Sequence, residues 1–193
     1  MLLMFWMVVG VILALEDLII ERRPHHVDWD DLFMEYDRYS APNHQLQQIN
    51  ITLDITVIKP TSIVFEMTQR WKDDRLRFVG DSYVSVPPSY IPWTPDTYIR
   101  TGVNEQISKS SLRLRYDGVF QLRQKYQIDI DEQDGDIIIG SFDNYGTNLI
   151  TYNLASWTSF SNSSYLTSES LTRHFDDMHF QDLIIHLNST EAM

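Results

Sequence analysis

The sequence contains no cysteine. That excludes disulfides, thiolate metal sites and a cysteine nucleophile. Small secreted domains often depend on disulfides, but a chain of 193 residues can bury a core without them. Positive charge is scarce too: 15 Lys and Arg stand against 27 Asp and Glu, a formal net of -12. An acidic chain repels nucleic acid, and no basic run with interleaved aromatics is present, so no nucleic-acid partner is expected. The phosphate-cradling, dinucleotide and hydrolase motifs G-x-x-x-x-G-K-[ST], G-x-G-x-x-G, H-E-x-x-H and G-x-S-x-G are all missing. No carboxylate pair stands out for glycoside cleavage. His174 and His179 flank Asp176-Asp177, a spacing common in exposed loops. Asp131, Glu132, Asp134 and Asp136 lack the terminal Glu of a calcium loop. The expectation is a protein without enzymatic activity, metal or cofactor.

Long hydrophobic runs are also lacking. The one apolar stretch, Met1 to Leu15, falls short of the roughly twenty residues that cross a bilayer. It fits the hydrophobic region of a secretory leader. No membrane span is therefore expected in this chain. Residues 1–15 read as the leader, 16–27 as a polar segment and 28–193 as one domain. Sequons at Asn50, Asn162 and Asn188 fit an exported, glycosylated protein.

What is present is ample core material: 43% of residues are hydrophobic and 12% aromatic. Trp29, Leu32, Phe33 and Tyr36 recur at i, i+3, i+4 and i+7, which predicts one amphipathic helix over Asp28 to Tyr39. Asp28 is placed to cap it, and Asp30 and Asp31 complement the dipole of the first turn. The rest reads as strands. Ile49, Ile51, Leu53, Ile55 and Val57 alternate, and Ile63 to Trp71 follows a Lys59-Pro60-Thr61-Ser62 turn. Leu112, Leu114 and Tyr116 alternate before Asp117-Gly118, and Val119 to Ile130 continues beyond that turn. An acidic turn at 131–136 leads to Ile137 to Phe142, and Leu183 to Leu187 is a last strand. Ala155 to Ser170 is Ser-rich and reads as a long surface loop. Trp71 and Trp93 read as core aromatics whose indole N–H groups find backbone partners, and Arg75 as the ion-pair partner of Asp73 or Asp96. The fold class is all-β: an immunoglobulin-like antiparallel sandwich of about ten strands behind one short N-terminal helix.

Three segments carry a resemblance. Trp71-Lys72-Asp73-Asp74-Arg75-Leu76 is a W-x-D-x-R-L stretch. Val84-Ser85-Val86-Pro87 is followed by the W-x-P-D element Trp93-Thr94-Pro95-Asp96. Asp117-Gly118 precedes Ile139-Gly140-Ser141-Phe142. In this order they resemble the extracellular domains of Cys-loop receptors, and the soluble acetylcholine-binding proteins above all, over roughly Asp28 to Asn188. The resemblance implies a secreted homopentamer with small-molecule pockets between neighbouring subunits. On one face it implies Tyr98 or Arg100, then Phe142, then Phe175 and Phe180 in a loop between Leu171 and Phe180. On the neighbour's face it implies Glu66 with the adjacent Phe65, and Gln121 with Arg123. In such a pocket, aromatic faces hold a cation.

The departures are informative. The cysteine pair of the family's loop is missing, its second position falling at Gly135 and its first at Ile128 or Gln121. The adjacent cysteines of the Leu171–Phe180 loop are missing as well. Arg100 and Arg123 would suit an anionic or zwitterionic ligand and Glu66 a cationic one, so the expected ligand is a cationic amine or an amino acid. The alternatives are the ligand-binding domain of a ligand-gated channel and a structural relative that has lost its ligand.

Overall fold

The computed structural model describes residues 27–42, 46–59, 61–129, 136–142, 149–159, 164–175 and 178–189. The apolar leader, the acidic turn at 131–135, Asp176-Asp177 and Asn162 lie outside the described residues.

Among the described residues one short helix, α1 (Trp29–Phe33), precedes ten strands: β1 (Leu46–Lys59), β2 (Ser62–Lys72), β3 (Tyr83–Ser85), β4 (Thr97–Ile99), β5 (Val103–Arg115), β6 (Val119–Asp129), β7 (Asp136–Ser141), β8 (Leu149–Ser159), β9 (Ser164–Phe175) and β10 (Met178–Ser189). They form two sheets, six-stranded in the order β3-β5-β6-β2-β1-β8 and four-stranded in the order β4-β7-β10-β9. The result is the all-β sandwich read from the alternation. One pairing departs from the antiparallel expectation: β1 and β8 run parallel, from Leu46 beside Leu149 to Ile55 beside Ser159.

Period-two burial builds the core. Ile49, Ile51, Leu53 and Ile55 of β1 and Ile63, Phe65, Met67 and Trp71 of β2 face Ile137, Ile139, Leu183 and Ile185 of the other sheet. Phe65 stacks on Tyr126 with ring centroids 5.4 Å apart, and Trp71 stacks on Phe120 at 5.3 Å while meeting Trp93 edge-on at 6.2 Å. Aromatic pairs at such separations add about 0.5–1.5 kcal/mol beyond their buried area.

The helix is shorter than the periodicity predicts. Asp28 does cap it, its carboxylate accepting from the Asp31 N–H at 3.2 Å. Beyond Phe33 the chain leaves the helix because Tyr36 is claimed by the sandwich. Its hydroxyl donates to Asp73 at 2.8 Å and accepts from the Trp93 N–H at 2.9 Å. The apolar face survives the loss of helical form: Trp29, Leu32, Phe33 and Tyr36 all pack on the core. Arg75 pairs with Asp73, not Asp96, through Nε at 2.8 Å and Nη2 at 2.7 Å, and lies 4.6 Å from the Tyr36 ring centre. Burial pushes the Tyr36 hydroxyl well above the usual phenol range. This knot joins the α1 segment, the end of β2 and the Trp93 loop. Gly118, at φ 86°, closes it from below: its carbonyl accepts from the Asp73 N–H at 2.9 Å, and a Cβ there would strike the Asp73 carbonyl.

Where the Ala155–Ser170 loop was expected, the described residues are strand. Leu149–Ser159 is β8 and Ser164–Phe175 is β9. Ser and Thr on β8 serve as outward rungs: Ser156 donates to Thr52 at 3.2 Å and Thr158 to Asp54 at 2.8 Å. On β9, Thr167, Ser168, Glu169 and Ser170 are all exposed, as suits the edge of a sheet.

Candidate ligand-binding faces

The outer face of the four-stranded sheet gathers several residues that the sequence marks. Strand register sets Tyr98 of β4 beside Gly140 of β7, and pairing of β10 with β9 brings Phe180 opposite Arg173 and Asp182 opposite Leu171, while Leu183 of β10 pairs with Ile139 of β7. Alternation turns Ile99, Ile139 and Leu183 inward, so Tyr98, Arg100, Gly140, Phe180 and Asp182 face outward. Asp182 is nonetheless only 1% exposed. Arg173 covers it, Nε and Nη2 both donating to its carboxylate, the latter at 3.2 Å. Arg100 closes the other side, its Nε 3.4 Å from Asp182 Oδ1 without hydrogen-bond alignment, and its Nη2 donates to the Ser141 carbonyl at 2.7 Å.

Gly140 makes this arrangement possible. A Cβ there would overlap Asp182 Oδ1 and stand 3.0 Å from Arg100 Nε. The carboxylate lies in the space that a side chain would fill. Within this cluster two guanidinium groups surround one carboxylate, while further along the same face Asp136 and Glu169 flank His186.

The aromatic residues sit around the cluster. Tyr98 and Phe142 meet edge to face at 5.6 Å and stay exposed, at 41% and 69%. Arg100 lies 5.8 Å from the Tyr98 ring centre and Arg173 5.2 Å from that of Phe180, which is buried beneath it. Phe175 ends β9 opposite Met178, and its side chain lies outside the described residues. Within the Leu171–Phe180 segment, residues 171–175 of β9 thus pair with 178–182 of β10.

Glu66, Gln121 and Arg123 lie on the other sheet. They face outward from β2 and β6, where Arg123 pairs with Glu66 and Gln121 sits opposite Arg70. Phe65 does not join them. It is fully buried against Tyr126, because neighbouring residues of a strand face opposite ways, and a ligand on the outer face cannot touch it. The two arginines whose charge bore on the ligand are both engaged, Arg100 with Asp182 and Arg123 with Glu66.

Asn50, one sequon, sits half-buried in mid-strand, its side chain accepting from Asn153 Nδ2 at 3.3 Å, rather than in a surface loop. Asn188 lies in β10 with its side chain outside the described residues. The Trp71 indole lacks the partner expected of it: among the described residues Nε1 is buried without a hydrogen bond.

Sequence reading missed Asp182 and Arg173. The available signal was one carboxylate inside an apolar strand, Phe180-Gln181-Asp182-Leu183-Ile184-Ile185, which demands buried cations nearby. A comparison with protein-family models gives no match to this chain, and neither does a comparison with curated proteins.

Proposed function

We propose that this protein is a secreted small-molecule-binding protein whose pockets form between copies in a homopentamer. One observation carries the reading. The Tyr98–Phe142 pair and the Glu66–Gln121–Arg123 group point outward from opposite sheets, so only a second copy can bring them to one ligand. The exposure of Phe142 supports it, since a large ring left in water gains from burial against a ligand or a neighbour. The ligand is a cationic amine or an amino acid. The exposed ring faces of Tyr98 and Phe142 offer about 0.5–2 kcal/mol each to an ammonium group. A carboxylate on the ligand competes with Asp182 and Glu66 for the arginines of these faces.

The test is the mass of the native particle by light scattering, with tryptophan fluorescence followed during titration with choline, glycine and glutamate. A mass near five protomers of 22.7 kDa, with a saturable signal that Phe142→Ala abolishes, is the expected result. A monomer with no response to any of the three overturns the reading.

A further inference from the structure

The outer face of the six-stranded sheet gathers the charge that is scarce in the rest of the chain. Strand register sets Arg113 of β5 and Arg70 of β2 on either side of Gln121 in β6. Arg123 stands two residues further along β6, and beyond it Lys125 lies directly opposite Lys109. Glu66 and Asp54 continue that last row across β2 and β1. Leu114, Phe120, Tyr126 and Met67 are buried beside these residues, so alternation turns the charged set away from the core. Five cations thus share the face with two carboxylates, in a chain whose net charge is -12.

Most of the five are uncommitted. Arg123 holds Glu66, and Asp54 accepts from Thr158 at 2.8 Å. Among the described residues Lys109, Arg113 and Lys125 have no ion pair, and Arg70 donates only to the Thr52 hydroxyl at 3.1 Å. Towards the Asp117 turn the face is neutral, with Lys72 3.0 Å from Asp74 and Arg115 2.7 Å from Asp117. Like charges directly opposite each other weaken a sheet, and Lys109 with Lys125 is that arrangement.

The opposite charge is concentrated elsewhere on the same chain. Asp28, Asp30, Asp31, Glu35 and Asp37 follow without a Lys or Arg between them, and all five are exposed. Asp28 accepts from the Asp31 N–H, Asp30 from the Tyr90 hydroxyl at 2.6 Å and Asp37 from the Tyr39 N–H at 2.9 Å. None of the five forms an ion pair among the described residues. Met34 and Tyr39 stand in and beside this segment at 74% and 82% exposure, apolar surface that gains from burial against a neighbour. No ion pair joins the acidic segment to the basic face within one copy.

We propose that the 28–37 segment of one copy docks on the Arg70–Arg113–Lys125 face of the next. The contact joins two unlike surfaces, so it repeats head to tail and closes into a ring. It rests on the reading that copies of this chain assemble around shared pockets, and it names the surfaces that set the partner and the register. Local attraction between the two surfaces steers copies together against the repulsion of their net charge.

The test is light scattering of the full chain in low salt beside three variants. Lys109→Glu with Arg113→Glu reverses the face, Asp31→Lys with Glu35→Lys reverses the segment, and the third variant carries all four changes. The four side chains are exposed and make no hydrogen bond or ion pair among the described residues, so each variant melts close to the parent. Either pair of changes alone weakens assembly by about ten-fold or more, and the chain with all four regains the parent's mass. Raising NaCl to about 0.5 M weakens the parent and the fourfold variant alike. An assembled parent whose mass neither pair alters, or a folded fourfold variant that stays dissociated, overturns this docking and leaves the pocket reading standing. A parent that is monomeric in low salt overturns both.

Discussion

Gly140→Ala is the substitution with the sharpest consequence. Its Cβ would occupy the space of the Asp182 carboxylate and press on Arg100 Nε. The carboxylate must move, and the arginines that hold it must follow. Overpacking of this kind costs about 1–3 kcal/mol. Removing a glycine stiffens the unfolded chain and returns about 0.4–1 kcal/mol. The net loss is about 1–2 kcal/mol. Asp182→Ala removes the obstacle but leaves Arg100 and Arg173 facing each other. Breaking a buried ion pair costs about 3–5 kcal/mol, and because the two arginines are 26% and 33% exposed the loss is reduced to about 2–3 kcal/mol. In the double variant the new methyl meets no carboxylate. It is therefore no less stable than Asp182→Ala alone, and the coupling between the two sites is about 1–2 kcal/mol. Urea unfolding of the four proteins, followed by tryptophan fluorescence, measures this directly. Additive losses would refute the claim that Gly140 exists to seat Asp182.

Asp73→Ala leaves Arg75 and the Tyr36 hydroxyl without their buried acceptor and lowers stability by about 3 kcal/mol, roughly 6–12 °C in melting temperature, measured by scanning calorimetry. Phe65→Ala costs about 3–5 kcal/mol, whereas Phe142→Ala on the outer face changes stability by less than about 0.5 kcal/mol; denaturant midpoints separate the two. Arg77 and Lys72 hold the Asp74 carboxyl below its usual range, and Arg115 does the same for Asp117. Depressed carboxylates stabilise the fold above their ordinary value of 3.8 and lose that contribution as pH falls through the lower folded value. Melting temperature therefore falls on acidification below about pH 4, and Asp117→Asn flattens part of that slope.

Local patterns in the chain were readable. The cap at Asp28, the alternation through Ile49–Ile55 and the Asp117-Gly118 turn each depend on a few neighbouring residues, and the structure bears them out. Features that depend on distant partners were hidden. The end of β8 and the start of β9, within Ala155–Ser170, read as a loop because their Ser and Thr face water or a neighbouring strand, so no apolar period marks them. The Asp182 cluster needs the register of β4, β7, β9 and β10 at once, and no short window contains it. Tyr36 looks like the last residue of a helical stripe until Asp73, 37 residues later, competes for its hydroxyl. The Phe65 and Glu66 readings were entangled because counting along a strand cannot say which of two neighbours faces out; burial decides that.

The parallel pairing of β1 with β8 has a consequence for how the chain matures. β1 is finished by residue 59, yet the strand that covers its outer edge begins at Leu149. A growing chain must therefore hold β1 with one flank bare while some ninety further residues are made. That flank presents open backbone hydrogen-bonding groups of a kind that recruits other strands. Long-range pairings of this sort also form late and slowly. The vulnerable period of this protein thus falls before its eighth strand emerges, and a crowded nascent pool would lose molecules to association at β1 sooner than to unfolding of the finished sandwich.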